Sequence, residues 1–210
     1  MNRTHSPSRR LLALAPGKLA TGAVLMAAVV AAMGVTAAAG STTPGVASSF
    51  SFKLVPATGI AACLPKASGH VTITPGSLND TMAVSVTGMP ANAGFDLFVI
   101  QQPAAPFGVS WYQTDVQANS LGTGSATVRG VFNVETFSVS PGGTTTFAPT
   151  HQYHLGLWFN DPIVPFNLGC EPTATSPIVT PFNGEQDAGI QVLNTSNFPV
   201  AAGPLSHVPR

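Results

Sequence analysis

The side chains best suited to ligand binding in this sequence are aromatic and polar residues near the ends of short apolar runs. Exposed Trp and Tyr rings stack on sugar rings or anchor a protein partner, and nearby amides and carboxylates supply polar contacts. We predict a binding site for a glycan or a protein from seven residues: Trp111, Tyr112, Trp158, Asn160, Asp161, Phe182 and Glu185. The alternative, in which Trp111 and Trp158 only fill the interior, stays open.

His151 and His154 are the closest pair of histidines. On a helix this spacing would put both on one face, where they can bind zinc. On a strand, successive side chains alternate, so the two rings point to opposite faces. The alternation of Tyr153, Leu155 and Leu157 predicts a strand. We therefore expect no metal and no cofactor.

Catalysis has weaker support in the sequence. No Gly-x-Ser-x-Gly turn marks a serine nucleophile. The carboxylates that a hydrolase could use are Asp96, Asp115, Glu135, Asp161, Glu171, Glu185 and Asp187. Asp96 and Glu135 fall within predicted strands, where a solvent-facing position is the simpler interpretation. We predict no catalytic residue, and keep as an alternative a secreted hydrolase that uses His154 with Asp161 or Glu185.

The sequence contains two cysteines, Cys63 and Cys170. An even count in an exported protein predicts a disulfide, and two cysteines allow a single intramolecular pairing. This bond would join the start of the domain to the Pro-rich segment 161–188. Two unrelated buried thiols are the alternative.

The first 39 residues have the pattern of a secretory signal peptide. Residues 1–18 are polar and basic, residues 19–39 carry no charge, and Ala37-Ala38-Ala39 provides a small-residue cleavage site. We predict cleavage near Ala39 and a protein that is secreted or on the cell surface. A retained membrane anchor is the alternative, and the pair Arg9-Arg10 leaves the Sec and twin-arginine routes open.

Short strands must position the candidate residues. Alternating or wholly apolar runs recur at 70–74, 82–87, 95–100, 109–113, 125–132, 134–139, 153–159 and 190–193. Turn-forming Gly, Pro and Asn separate them, and no long helical period occurs after residue 45. This pattern predicts an immunoglobulin-like β-sandwich of eight or nine strands over residues 40–195. A long Pro-rich loop and an extended tail at 196–210 complete it.

Charge excludes several classes of partner. Only 8% of the 210 residues are charged, and the net charge is zero. Four of the eight basic residues precede residue 19, so the exported part is mildly acidic. We therefore predict no nucleic-acid partner, and membrane contact only through an uncleaved N-terminal segment.

Several stretches resemble a set of exported actinobacterial-type proteins of unassigned function. They are Gly108–Gln113, Phe132–Phe137, His151–Asn160, Pro181–Glu185 and Gly189–Thr195. The resemblance covers roughly residues 70–203. It implies an extracellular β-rich domain and brings no activity, ligand or catalytic residue.

Together these patterns predict an exported, non-catalytic β-sandwich that binds a cell-wall glycan or a protein partner. The secreted hydrolase and a structural subunit of the cell envelope are the alternatives.

Overall fold

Ten short strands dominate the computed structural model, which describes residues 48–135, 150–181 and 187–209. The strands are β1 (Phe50–Pro56), β2 (Ser68–Thr74), β3 (Asp80–Thr87), β4 (Gly94–Ile100), β5 (Ser110–Gln117), β6 (Gly124–Gly130), β7 (His154–Phe159), β8 (Thr180–Pro181), β9 (Asp187–Ala188) and β10 (Gln191–Asn194). Two short helices, α1 (Ile60–Cys63) and α2 (Ile163–Asn167), and a 3₁₀ helix (Pro204–His207) accompany them. The predicted all-β class is confirmed.

Eight of these strands form one antiparallel sheet in the order β5-β4-β7-β10-β1-β2-β3-β6. Its end strands approach each other through a bridge between Ala118 and Gly124, so the sheet nearly closes on itself. β1 joins the two halves: its first part pairs with β2, whereas Val55 and Pro56 pair with β10. The immunoglobulin-like sandwich is not confirmed, because such a fold consists of two separate sheets.

The core lies on the inner face of this sheet. In β3, Met82, Val84 and Val86 are buried while Ala83 and Ser85 between them are more exposed, as the alternation predicts. By contrast, every residue of β7 is buried. A second, smaller apolar cluster covers the outer side of β4 and β7, which explains why neither strand has a solvent face.

The predicted disulfide between Cys63 and Cys170 is confirmed. It links the end of α1 to the segment after α2 across a sequence separation of 107 residues. Closing a loop of this length stabilises the fold by up to about 4.7 kcal/mol in the chain-entropy description. A disulfide of this kind is typical of a non-reducing compartment.

The C-terminal stretch differs from the extended tail that its prolines predicted. Residues Pro204–His207 form the 3₁₀ helix, and Leu205 and Val208 are buried in the main core. The ring of Phe198 packs edge-on against Phe52, with 5.9 Å between ring centroids. Pro204 opens the 3₁₀ helix, because proline suits the first position of a helix, where its missing N–H is not needed.

Three groups of predictions lie outside the described residues. They are the signal segment 1–39, most of the strand predicted at 134–139, and the candidate site residues Phe182 and Glu185. In the described part of the chain, no helix combines the length and apolar character needed to cross a membrane.

Candidate functional site

An irregularity in the pairing of β4 with β5 creates the most distinctive polar site of the described chain. Asp96 pairs with Asp115, but Phe98 pairs with Tyr112, so the register shifts between them. Residues three apart on a regular strand face opposite sides. The shift, typical of a β-bulge, instead brings Tyr112 and Asp115 to the same face.

Four side chains on this face form a continuous hydrogen-bonded network. The Tyr112 hydroxyl donates to Asp115 Oδ1 at 2.7 Å. Asp115 and Asp96 lie opposite each other on the paired strands, and a hydrogen bond between their carboxyl groups, formed when one of them is protonated, favours the neutral form of Asp96. Asn160 Nδ2 donates to Asp96 Oδ1 at 3.1 Å. We call Tyr112, Asp115, Asp96 and Asn160 the Tyr112 surface.

The network changes the acidity of its members. Burial, followed by the hydrogen bond and negative charge of Asp115, raises the pKa of Asp96 to about 6, against the opposing effect of the Asn160 amide. Partial desolvation and the bond to Asp115 raise the pKa of Tyr112 to about 12. Tyr112 is therefore a neutral donor at physiological pH, whereas Asp96 changes its charge in mildly acidic solution.

Tyr112 combines exposure with restraint. Its side chain is 55% exposed, yet its hydroxyl is bonded to Asp115 and its ring packs edge-on against Phe98, with 5.7 Å between centroids. Asp115 is exposed as well, whereas Asp96 is only 5% exposed. The surface therefore offers a fixed aromatic ring beside an acidic edge.

The two tryptophans of the predicted site have different surroundings. Trp111 is half-buried and packs against the main core. Trp158 is fully buried, with Phe98 and Phe107 edge-on against it at centroid distances of 5.6 and 4.9 Å. The ring of Trp158 is thus not available to stack on a ligand at the Tyr112 surface.

Of the remaining predicted site residues, Asn160 joins Tyr112 in the network and Asp161 does not. Asp161 is exposed, and its Oδ1 accepts a hydrogen bond from the Ile163 backbone N–H at 2.9 Å, which holds the turn into α2. The network depends instead on Asp96 and Asp115, which the sequence offered only as candidate carboxylates. Asp96 is buried, so its expected solvent-facing position is wrong.

His154 is engaged on both sides of its ring. Its Nδ1 lies 2.9 Å from Thr195 Oγ1, and its Nε2 lies 2.9 Å from the Val200 carbonyl oxygen. Burial lowers the pKa of His154 despite these bonds. The structure therefore does not present His154 as the base of a hydrolase.

The other histidine and a further carboxylate have structural contacts. His151 Nδ1 lies 2.9 Å from the Tyr153 hydroxyl, away from the partners of His154. Glu135 accepts hydrogen bonds from the Thr150 hydroxyl and the His151 backbone N–H, both at 2.9 Å. Within residues 48–135, 150–181 and 187–209, no group of three or more His, Cys, Asp or Glu residues is arranged to hold a metal ion.

Comparison with known proteins adds no assignment. No protein-family model, curated protein or solved structure matches this chain. The resemblance to exported proteins of unassigned function therefore stays a prediction.

Proposed function

We propose that this protein is an exported, non-catalytic module that binds a cell-wall glycan at the Tyr112 surface. The observation that carries the proposal is an aromatic ring that is 55% exposed and yet fixed at two points, by Asp115 and by Phe98. A ring that is already immobilised loses little conformational entropy when a ligand stacks on it. Aromatic rings with one polar end suit partners that are apolar on one side and hydroxylated at the edge.

The polar groups beside the ring favour a glycan over a protein. A stable protein interface buries about 800 Å² on each partner around a largely apolar centre. The Tyr112 surface has one exposed ring flanked by two carboxyl groups and an amide. Such groups bind sugar hydroxyls, which both donate and accept hydrogen bonds.

Export is supported by two independent features. The disulfide between Cys63 and Cys170 favours an oxidising compartment, and the sequence of residues 1–39 has the order of segments found in secretory signals. We propose a location in the medium or on the cell surface.

We also propose that the two halves of the sheet pack face to face as an immunoglobulin-like sandwich, with β1 shared between them.

A secreted hydrolase is the second candidate function, and Asp96 is the observation that favours it. Two neighbouring carboxyl groups, one of which has its pKa raised to about 6, resemble the pairs that perform acid–base hydrolysis. Asp96 is nonetheless only 5% exposed, so Asp115 is the one carboxyl group of this pair that is open to a substrate, whereas a glycosidase needs two. We therefore favour binding.

Retention of the purified protein on cell walls and on a glycan array tests the proposal. We expect Tyr112→Ala to weaken retention at least tenfold, because the stacking ring is removed. Tyr112→Phe keeps the ring and loses only the bond to Asp115, so its effect should be smaller. Leu121→Ala is the matched control, since Leu121 is 83% exposed and lies outside the Tyr112 surface.

Two results would overturn the proposal. One is the absence of retention on every wall and glycan tested, or retention that Tyr112→Ala leaves unchanged. The other is turnover of a polysaccharide or peptide between pH 4 and 7 that both Asp96→Asn and Asp115→Asn abolish. That second result would establish the hydrolase instead.

A further inference from the structure

A cavity of about 560 Å³ lies beside the disulfide. Its walls come from the loop after β4, the segment that follows Cys170, and β10. The apolar part of the lining includes Phe107, Trp158, Ile178 and Ile190. The cavity is within the range of about 300–1,000 Å³ that small-molecule sites occupy.

Two residues that line this cavity each have one buried polar atom with no hydrogen-bond partner in the described part of the chain. These atoms are Glu171 Oε1 and Gln191 Nε2. The opposite end of each side chain is anchored: Glu171 Oε2 accepts from the Ile178 N–H, and Gln191 Oε1 accepts from Asn194 Nδ2, both at 2.9 Å. Glu171 is only 7% exposed.

Unpartnered buried polar atoms are rare in folded proteins, because losing water without gaining a partner is unfavourable. Here the two atoms line one cavity and have opposite hydrogen-bonding character. Glu171 Oε1 accepts, whereas Gln191 Nε2 donates. A ligand that satisfies both must therefore offer a donor and an acceptor.

This requirement selects among ligand classes. An ammonium group only donates, so it would satisfy Glu171 and leave Gln191 unpaired. A carboxylate only accepts, so it would satisfy Gln191 and oppose the Glu171 carboxylate. A hydroxyl group does both, and the C–H face of a sugar ring suits the apolar wall.

We propose that this cavity, which we call the Glu171–Gln191 cavity, binds a neutral polyhydroxylated ligand of the size of a monosaccharide. The site goes beyond the proposed function, because it takes a small soluble sugar rather than the surface of a wall glycan. It is also separated from Tyr112 by the rings of Phe98 and Trp158, which pack against each other.

Gly156 leaves the space that the Trp158 ring and the Gln191 amide occupy at the cavity wall. A β-carbon at this position would collide with the Trp158 ring and with Gln191 Nε2. Glycine therefore allows an indole and an amide to lie together over β7. Asn194 strengthens the wall by donating from Nδ2 to the Pro103 carbonyl oxygen at 3.0 Å.

Calorimetric titration of the full chain with D-glucose, D-galactose, D-mannose and N-acetyl-D-glucosamine tests the proposal. We expect at least one of these sugars to bind with a millimolar or lower Kd. Glu171→Gln should weaken that binding at least tenfold, because the strong hydrogen bond from a sugar hydroxyl to a carboxylate oxygen is replaced with a weaker bond between neutral groups. Its thermal unfolding midpoint, compared with that of the unchanged protein, shows that the fold is retained.

The reciprocal variant sharpens the test. Gln191→Glu keeps the acceptor for Asn194 and replaces the cavity donor with an acceptor, so it should also weaken sugar binding at least tenfold. The double variant Glu171→Gln with Gln191→Glu restores one donor and one acceptor in exchanged positions. Because a hydroxyl tolerates that exchange, we expect the double variant to recover part of the affinity.

The proposal is overturned if no sugar in the panel binds, or if Glu171→Gln leaves the affinity unchanged. Methylammonium and acetate serve as charged probes, and binding of either one in place of the sugars would also overturn it. Tyr112→Ala should leave the titration unchanged, so failure of this proposal is distinguishable from failure of glycan binding at the Tyr112 surface.

Discussion

The Tyr112 surface and the Glu171–Gln191 cavity use polar groups in opposite ways. On the Tyr112 surface, the polar groups of Tyr112, Asp115, Asp96 and Asn160 have partners within the surface itself. In the cavity, two buried polar atoms have no partner in the described chain.

This difference implies two kinds of recognition. A ligand at the Tyr112 surface adds contacts to a network that is already complete, so the ring supplies most of the affinity. A ligand in the Glu171–Gln191 cavity completes bonds that the fold leaves open. Removing one hydrogen-bonding atom should therefore weaken binding in the cavity more than on the surface.

Removal of the disulfide is the change for which we expect the largest difference between the Tyr112 surface and the Glu171–Gln191 cavity. Cys170 lines the cavity, whereas the Tyr112 surface is built on β4, β5 and the end of β7. We expect the double variant Cys63→Ser with Cys170→Ser to lose up to about 4.7 kcal/mol of unfolding free energy, measured in urea. We also expect its sugar binding to fall further than its retention on cell walls.

The matched control is chemical reduction of the disulfide in the protein without substitutions. It should reproduce both the loss of unfolding free energy and the larger fall in sugar binding. Equal loss of binding in the two regions would show that the disulfide stabilises the whole domain without a particular effect on the cavity.

Asp96 offers a pH-dependent test of the surface network. Its pKa in the folded protein, about 6, lies above its ordinary value of 3.8. The folded state therefore holds the Asp96 proton more tightly than the unfolded state does. The contribution of protonated Asp96 to the free energy of unfolding is complete below pH 3.8 and is lost as the pH rises through 6. A difference of this size corresponds to about 3 kcal/mol.

Asp96→Asn imitates the protonated form, so it should match the unchanged protein near pH 3.5 and exceed its stability by up to about 3 kcal/mol at pH 7.5. Urea unfolding at a series of pH values measures the difference. Asp187→Asn, at an exposed carboxylate outside the network, controls for the loss of one negative charge. A constant difference at all pH values would contradict the altered acidity of Asp96.

A substitution at Gly156 tests the cavity, with a smaller expected effect on stability. Gly156→Ala places a methyl group against the Trp158 ring and the Gln191 amide, so we expect a destabilisation of about 1–3 kcal/mol. Sugar binding should be lost and tryptophan fluorescence should change, while retention on cell walls should remain. Ala83→Gly, on the β3 strand, controls for backbone flexibility. Unchanged sugar affinity would contradict the placement of Gln191 in the site.

Sequence patterns predicted the strands better than they predicted how the strands are arranged. The alternation of Met82, Val84 and Val86 identified the buried face of β3, and the apolar run at 95–100 identified a strand covered on both sides. These patterns depend on one strand at a time. The shared position of β1 in a nearly closed sheet depends on pairing between distant strands, which alternation does not specify.

The candidate site was predicted only in part. Tyr112 and Asn160 belong to one network, but Asp96 and Asp115, which connect them, were not among the seven predicted site residues. The connection depends on the register shift between β4 and β5. A one-residue change of register moves a side chain to the other face of a sheet, and no local feature of the sequence marked where that change occurs.

The sequence by itself determined the all-β class, the pairing of Cys63 with Cys170 and the inward side of the alternating strands. Local side-chain alternation and the presence of only two cysteines leave few other solutions. Only the tertiary structure decided that Trp158 is fully buried, that Asp96 lies in contact with Asp115, and that Glu171 and Gln191 line one cavity. Those facts depend on which distant segments pack together. The packing follows from the register between strands and from burial of apolar side chains, and both involve residues far apart in the sequence.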